Sequence, residues 1–277
     1  MQKVTYDFTG STALVTGAGT GIGFGVATEL ARVGATVTVM GHLEEQVTPA
    51  VDRLRAEFGA DRIRAAIGDV TNEEDLARCV AIAADADGNL DIAVANAGGA
   101  IPGAILMMPK QAWDHVLTLN VTGVALTIKH AGLAMREKGG RIVTVSSSAA
   151  IQATKYMAPY SASKAAVEML TRGAALELAP FKINVNCVSP GWIKTESAAF
   201  LPPSIIGQFR ERTAFGDGGE TKYIADGVLH FCGPGSDWVT GAVTHIGGGL
   251  HSYGGEDFID MVTAIYGADT VKPFLGP

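Results

Sequence analysis

Within the run KYMAPYSASK (155–164) lie two tyrosines and two lysines, and one pair among them has a spacing suited to proton transfer. Side chains four apart on a helix share one face and stack about one turn from each other. Only Tyr160 and Lys164 have that spacing; Tyr156 is followed at the fourth position by Tyr160, and Lys155 by Pro159. Proline favours an extended or turn conformation just before it and fits the first turn of a helix. Tyr156 is therefore expected in a loop and Tyr160 in the first turn of a helix. An ammonium one turn away favours the phenolate form of a tyrosine. A phenol that is a poor base at neutral pH thereby becomes usable as a proton donor and acceptor.

A second stretch suits an anion. TGAGTGIG (16–23) follows a β-branched run and opens a helical one. Glycines let a backbone approach a pyrophosphate closely, and a helix N-terminus offers free N–H groups and partial positive charge. The spacing here is G-x-x-x-G-x-G, through Gly17, Gly21 and Gly23, rather than G-x-G-x-x-G.

Both stretches need a scaffold, and the chain supplies an alternating one. The β-branched or apolar runs are STALVT (11–16), ATVTVM (35–40), RIRAAIG (62–68), LDIAVAN (90–96), RIVTVS (141–146), KINVNCVS (182–189) and AVTHIG (242–247). The first five each precede a helical pattern, which implies βαβ units and a parallel sheet. Nearly continuous apolar strands are those of a sheet buried on both faces by helices. Thr71 and Glu74 have capping-box spacing at a helix start. Residues 191–220 break the rhythm with two prolines and a glycine cluster, the design of a substrate lid carrying a short helix. Residues 92–109 carry no charge, but adjacent glycines and two prolines make them a buried strand running into a loop rather than a membrane span.

Composition sets the outer bounds. A chain of 277 residues with 47% hydrophobic content can bury one large α/β core. A net charge of -7 argues against nucleic-acid or anionic-membrane partners. The start, MQKVTYDFTG, has no apolar signal core, and Cys79, Cys187 and Cys232 lie far apart with no CxxC. Reduced thiols, no metal and a cytoplasmic location are the expectation.

TGAGTGIG, ANAG (95–98), LNVTG (119–123), VSSS (145–148), YSASK (160–164) and PGWIKT (190–195) occur in this order. Over about residues 8–250 the chain resembles the short-chain dehydrogenase/reductases. That resemblance implies a single-domain, Rossmann-like, doubly wound parallel sheet of seven strands. It also implies a nicotinamide cofactor and hydride exchange between a secondary alcohol and a ketone, with Tyr160 as acid/base and Lys164 as its tuner, reaching the cofactor ribose. The family's serine stands thirteen residues before the tyrosine, which selects Ser147; strand alternation turns its rivals Ser146 and Ser148 the other way. Asn120 matches the asparagine that holds a water in a proton relay to the lysine. By matched position, Gly17, Thr20, Gly21, Ile22 and Gly23 form the phosphate turn. Asp69 and Val70 match the adenine site, Asn96 and Gly98 follow the fourth strand, and Ile193 and Thr195 match contacts to the nicotinamide carboxamide. Residues 1–250 are read as one catalytic domain and 251–277 as an extension packed on its own or a neighbouring subunit.

The choice of cofactor turns on the end of the second strand. An acidic residue there would bind the ribose 2′-OH and repel a 2′-phosphate. The chain has Gly41 in that place, followed by His42, where NADP users of the family often carry Arg. NADP(H) is favoured and NAD(H) stays open, with Thr20 adding no charge in the turn. Segments 101–108, 149–157 and 192–215 are rich in Ile, Met, Phe and Pro, which suggests an apolar substrate such as a 3-oxoacyl, steroid-like or other hydrophobic carbonyl. Phe258, Met261, Val262 and Ile265 have helical spacing before a glycine stop. Gly247 stands where the family usually has Asp at a subunit interface; a homotetramer (or homodimer) built on helices near 111–138 and 160–179 remains the expectation. The alternatives are a non-catalytic cofactor-binding regulator or scaffold, which usually lacks the Tyr or Lys, and an epimerase or dehydratase, which usually needs a larger substrate domain.

Overall fold

A computed structural model describes residues 5–252 and 258–274. All seven expected strands are present: β1 Thr12–Thr16, β2 Thr36–Gly41, β3 Ile63–Ile67, β4 Ile92–Ala95, β5 Gly140–Val145, β6 Ile183–Pro190 and β7 Val243–Ile246. They form one sheet in the order β3-β2-β1-β4-β5-β6-β7, and every pairing is parallel. A parallel sheet needs a crossover between paired strands, and helices supply most of them. These are α1 Gly21–Arg32, α2 Glu44–Phe58, α3 Glu73–Ala83, α4 Lys110–Leu117, α5 Gly123–Met135, α6 Ala158–Leu178, α7 Pro203–Arg212 and α8 Thr221–Cys232. The chain continues through α9 Ile259–Tyr266 and the short α10 Ala268–Val271.

The sheet separates two apolar layers. Val15, Val37, Val39, Val94 and Val143 pack against Val26, Leu30, Val51 and Val228 of α1, α2 and α8. Leu14, Met40, Ala93, Ile142 and Val185 pack against Leu76, Val124, Ile128, Met135 and Val167 of α3, α5 and α6. Period-two alternation sends neighbouring residues of one strand to opposite layers, as Leu14 and Val15 show. This is the fold class that the strand and helix patterns and the resemblance led us to expect.

Where the order reverses, between β1 and β4, the two strands feed loops that diverge, and a crevice opens at their carboxyl ends. Thr16 fastens that point. Its Oγ1 accepts the Asn96 and Ala97 N–H groups, both at 3.0 Å, and lies 3.3 Å from the Val94 carbonyl.

Several local expectations are corrected. The cap of α3 is Asn72, whose Oδ1 accepts the Asp75 N–H at 3.0 Å, rather than the Thr71–Glu74 box. Thr71 instead donates its hydroxyl to Asp69 Oδ1 at 2.8 Å. The asparagine amide reaches the third N–H directly, so the register of the cap is one residue later than the pattern suggested. The long helix near 111–138 is α4 and α5 joined by a wider, π-helical stretch at Thr118–Thr122, closed by the Gly123 N–H on the Thr118 carbonyl. Lys110–Met135 taken together is long and apolar enough to cross a membrane by length and composition alone. Val116, Asn120, Val124, Ile128 and Met135 are buried in the protein itself, so one face of this stretch packs into the core. The 92–109 stretch is β4 followed by a loop, as expected.

The three thiols are free and buried. Burial pushes Cys187 up to about 11 and Cys232 up to about 12, so both stay protonated and unreactive at neutral pH. The tail helix forms where its spacing placed it and ends at Gly267, with φ 84°. Its Phe258, Met261 and Ile265 remain exposed on the single chain, as do Leu133 of α5 and Met169 and Leu176 of α6.

Candidate active site

The crevice at the carboxyl ends of β1, β4 and β5 is a cavity of about 650 Å³. Tyr160 and Lys164 both line it, from the first two turns of α6. Pro159 occupies the first turn of that helix, as its fixed φ allows. Lys164 is buried, and its Nζ donates to the Val145 carbonyl at 2.9 Å, at the end of β5. The ammonium lies 5.7 Å from the Tyr160 ring centroid, so the predicted pair does share one face. Tyr156, the rival, is a loop residue with φ 64° and is mostly exposed. Its carbonyl accepts the Gly103 N–H at 2.8 Å, which ties the loop after β4 to the start of α6.

Of the three serines, Ser146 is buried and turned inward, donating toward the Lys164 carbonyl at 3.0 Å and Glu168 Oε1 at 3.1 Å. Ser147 faces the cavity in extended conformation, and its Oγ accepts the Ala149 N–H at 3.2 Å. That contact uses an oxygen lone pair and leaves the Ser147 hydroxyl hydrogen free to donate to an oxygen in the cavity. Strand alternation does not separate the three: β5 ends at Val145, before them, a 3₁₀ turn begins at Ser148, and Ser146 and Ser148 both border the cavity as Ser147 does.

Asn120 sits in the π-helical stretch between α4 and α5, fully buried. Its Oδ1 accepts the Gly99 N–H at 2.8 Å, and its Nδ2 donates to the Gly99 carbonyl at 2.8 Å and to Ser163 Oγ at 2.9 Å. Ser163 in turn donates to the Tyr160 carbonyl at 2.7 Å. A Cβ added at Gly98 would come within 2.9 Å of Asn120 Oδ1 and 3.3 Å of Lys164 Nζ, so both groups border the same spot. Local widening of a helix is a frequent way to aim one side chain at a functional site. No proline or glycine signals it inside this segment.

The glycine turn closes the other end of the cavity. Gly17 has φ +62°, and a Cβ there would stand 2.9 Å from the Ala97 Cα; a Cβ at Gly23 would collide with the Gly17 carbonyl. The backbone is thus drawn tight between β1 and α1, and the cradle is one only glycine can form. Asn96 braces it, donating Nδ2 to the Thr16 and Gly17 carbonyls at 2.9 and 3.2 Å. Its side chain therefore holds the turn, a role that the matched position alone did not reveal; Thr16 was also missed, although the VTG sequence after a strand could have pointed to it. Thr20 is the N-cap residue of α1 and makes no side-chain cap bond. Ile22, Gly98, Ile193 and Thr195 line the cavity too. Thr195 Oγ1 accepts the Ala198 N–H at 3.2 Å.

Asp69 and Val70 line the cavity beyond β3, and the Asp69 carboxylate is already engaged by the Thr71 N–H and hydroxyl. Gly41 and His42 line it beyond β2, with His42 exposed. A Cβ at Gly41 would come within 2.8 Å of Val47, so an acidic side chain has little room there. Gln46 and Val47 of α2 also border this end, unanticipated from sequence. Toward the mouth stand Ala149, Thr154, Met157, Trp192, Leu201 and Phe209. The Trp192 and Phe209 rings stack 5.6 Å apart at 13°. Ile105, Leu106 and Met107 point to solvent instead, and none of the 101–108 segment lines the cavity.

Comparison with known proteins adds an independent line. A family model described as Enoyl-(Acyl carrier protein) reductase matches residues 17–251. The human protein named dehydrogenase/reductase SDR family member 4 is 35% identical over 244 residues, 87% of each chain. The 3-oxoacyl-[acyl-carrier-protein] reductase FabG of Aquifex aeolicus is 31% identical, covering 87% of this chain and 97% of its own. Among solved structures, a short-chain type dehydrogenase/reductase from Mycobacterium ulcerans superposes with a TM-score of 0.86 at 32% identity, over 97% of this chain and 99% of that one.

Proposed function

Because this chain belongs to the short-chain dehydrogenase/reductase family, we propose that it interconverts an apolar secondary alcohol and its ketone, with Tyr160 moving the proton and NADP(H) as the preferred cofactor. The observation that carries this reading is that Tyr160, Lys164 and Ser147 border one cavity with a glycine turn whose Gly17 and Gly23 leave no room for a Cβ. The cradle of Gly17, Gly21 and Gly23 at the start of α1 suits a dinucleotide diphosphate, and Asp69, Val70 and His42 border the end where an adenosine would lie. A bound nicotinamide would supply the hydride acceptor or donor.

The chain's own residues supply the rest. In the oxidative direction the Tyr160 oxygen takes the proton of the substrate hydroxyl, and in reduction it returns one to the ketone oxygen. The Ser147 hydroxyl donates to that same oxygen, where negative charge develops. The Lys164 ammonium, fixed by the Val145 carbonyl, stabilises the Tyr160 oxygen when it is charged. The rigid Asn120 amide, bordering the Gly98 spot with Lys164, fits the family's water-holding position.

Substrate class follows from the mouth. Among the described residues lining the cavity there is no arginine, and Lys164 is the one lysine. Among the described residues lining the Met157, Trp192, Leu201 and Phe209 end, none carries a charge to pair with a carboxylate or phosphopantetheine; Lys194, Arg210 and Arg212 stand on the neighbouring segments. A neutral, apolar ketone suits that wall best. The test is a panel of ketones and alcohols assayed with both reduced and both oxidised cofactors. Hydrophobic cyclic or long-chain ketones should turn over best, and a uniform absence of turnover across the panel would defeat the proposal.

Cofactor preference is tested at His42. With Gly41 rather than a carboxylate at the end of β2, that position does not repel a 2′-phosphate, and a full positive charge at residue 42 should attract it further. His42→Arg is expected to raise the ratio of kcat/KM for NADPH over NADH by about tenfold, the size of one charge-assisted contact. His42→Asp should reverse the preference. An unchanged ratio in both variants would show that His42 does not read the phosphate.

A further inference from the structure

A hydrogen bond joins the lid to the phosphate turn. The Gly21 N–H donates to Glu196 Oε2 at 3.1 Å, between residues 175 positions apart. Gly21 is the first residue of α1, so its N–H is among those a helix leaves without an internal partner. Thr20 makes no side-chain cap bond, and the first turn of α1 carries no acidic residue of its own. The only capping anion described for this helix therefore comes from the segment after β6. The neighbouring Thr195 approaches as well, with its methyl 3.5 Å from where a Gly21 Cβ would stand.

The rest of that segment is fastened elsewhere. Trp192 stacks on Phe209 of α7, and Lys194 pairs with Asp217 at 3.1 Å and Glu220 at 2.9 Å. Glu196 lies between these fastenings and α7, and α7 covers the mouth of the cavity through Phe209.

We propose that Glu196 is a self-ligand of the phosphate turn: its carboxylate occupies the Gly21 N–H until the diphosphate of a dinucleotide takes its place. This rests on the reading of the glycine turn as the dinucleotide site. Two anions cannot share one N–H donor at a helix N-terminus, so entry of a diphosphate releases Glu196. The coupling is reciprocal. Whatever affinity the diphosphate loses in displacing the carboxylate is the same free energy by which the bound diphosphate weakens the Glu196–Gly21 contact. Glutamine at this position keeps the shape and a weak acceptor but removes the charge, so it competes less and repels the diphosphate less.

Calorimetric titration of wild type, Glu196→Gln and Glu211→Gln tests the latch. Ligands are NADPH, NADH and ADP, the last carrying the diphosphate without the nicotinamide. Glu211 lies on α7 and gives the lid the same charge change away from the turn. Glu196→Gln should bind the preferred dinucleotide and ADP about three- to tenfold more tightly, the range of one exposed charge–dipole contact, while Glu211→Gln matches wild type. In wild type, ADP should also raise hydrogen–deuterium exchange across residues 195–202. Equal dissociation constants for wild type and Glu196→Gln, or the same gain in Glu211→Gln, would overturn the latch while leaving the dinucleotide site standing. A wild-type protein that binds none of the three ligands would overturn the latch and the dinucleotide reading together.

Discussion

Tyr160→Phe is expected to lower kcat by about a thousandfold or more, with dinucleotide affinity held within about twofold of wild type. Removing one general acid–base group typically costs a factor of 10² to 10⁴. The phenol also donates a hydrogen bond to an oxygen on which charge develops, which adds to the loss. A thousandfold drop corresponds to about 4 kcal/mol of transition-state stabilisation. The substitution removes one half-buried oxygen and no carbon, so the α6 turn built on Pro159 and the Lys164–Val145 contact should persist. Thermal melting should be unchanged. Steady-state assays on the best substrate of the panel, beside a cofactor titration, separate the two quantities. A variant that keeps more than about a tenth of wild-type turnover would remove Tyr160 from the chemistry.

That expectation was legible because its components are local. Tyr160 and Lys164 are one helical turn apart, and a proline marks where the turn starts. The sheet was legible for the same reason: strands buried on both faces read as continuous apolar runs, and every pair except β1–β4 is joined by one crossover. The glycine turn needs nothing beyond eight consecutive residues.

What could not be read depends on chain segments that meet only in the fold. Gly21 and Glu196 are 175 positions apart, and neither residue type announces the other. Asn96 matched a cofactor position, yet its amide holds the Thr16 and Gly17 carbonyls, a role visible only once β1 and β4 are side by side. Ile105–Met107 read as a pocket wall by composition, but hydrophobicity does not say which side of a loop faces in. The Thr71 cap failed by one residue because Asn72, an equally good capping residue, stands next to it. The π-helical stretch at Thr118–Thr122 is imposed by what Asn120 must reach, since its own residues would continue an ordinary helix.

Asn120→Ala should therefore affect folding and turnover together, and the reason is the bonding pattern of one amide. Asn120 is fully buried and satisfies the N–H and carbonyl of Gly99 and the hydroxyl of Ser163. Alanine leaves the buried Ser163 hydroxyl and the half-buried Gly99 N–H and carbonyl without this partner, at up to about 1–3 kcal/mol each. Because the three contacts share one rigid group, their losses do not add in full, and a net destabilisation of about 3 kcal/mol is expected. For a domain of this size that lowers Tm by about 6–10 °C. The loop at Gly98–Gly99 loses its anchor beside Lys164, and Ser163 loses its link between Asn120 and the Tyr160 carbonyl, so kcat should fall by about a hundredfold. Asn120→Asp separates volume from bonding. It keeps the shape but turns the donor toward the Gly99 carbonyl into a second oxygen, so it should be destabilised to a similar degree. Calorimetric melting of both variants decides the matter: if the aspartate variant melts like wild type, Asn120 fills space there and its hydrogen bonds do not hold the site.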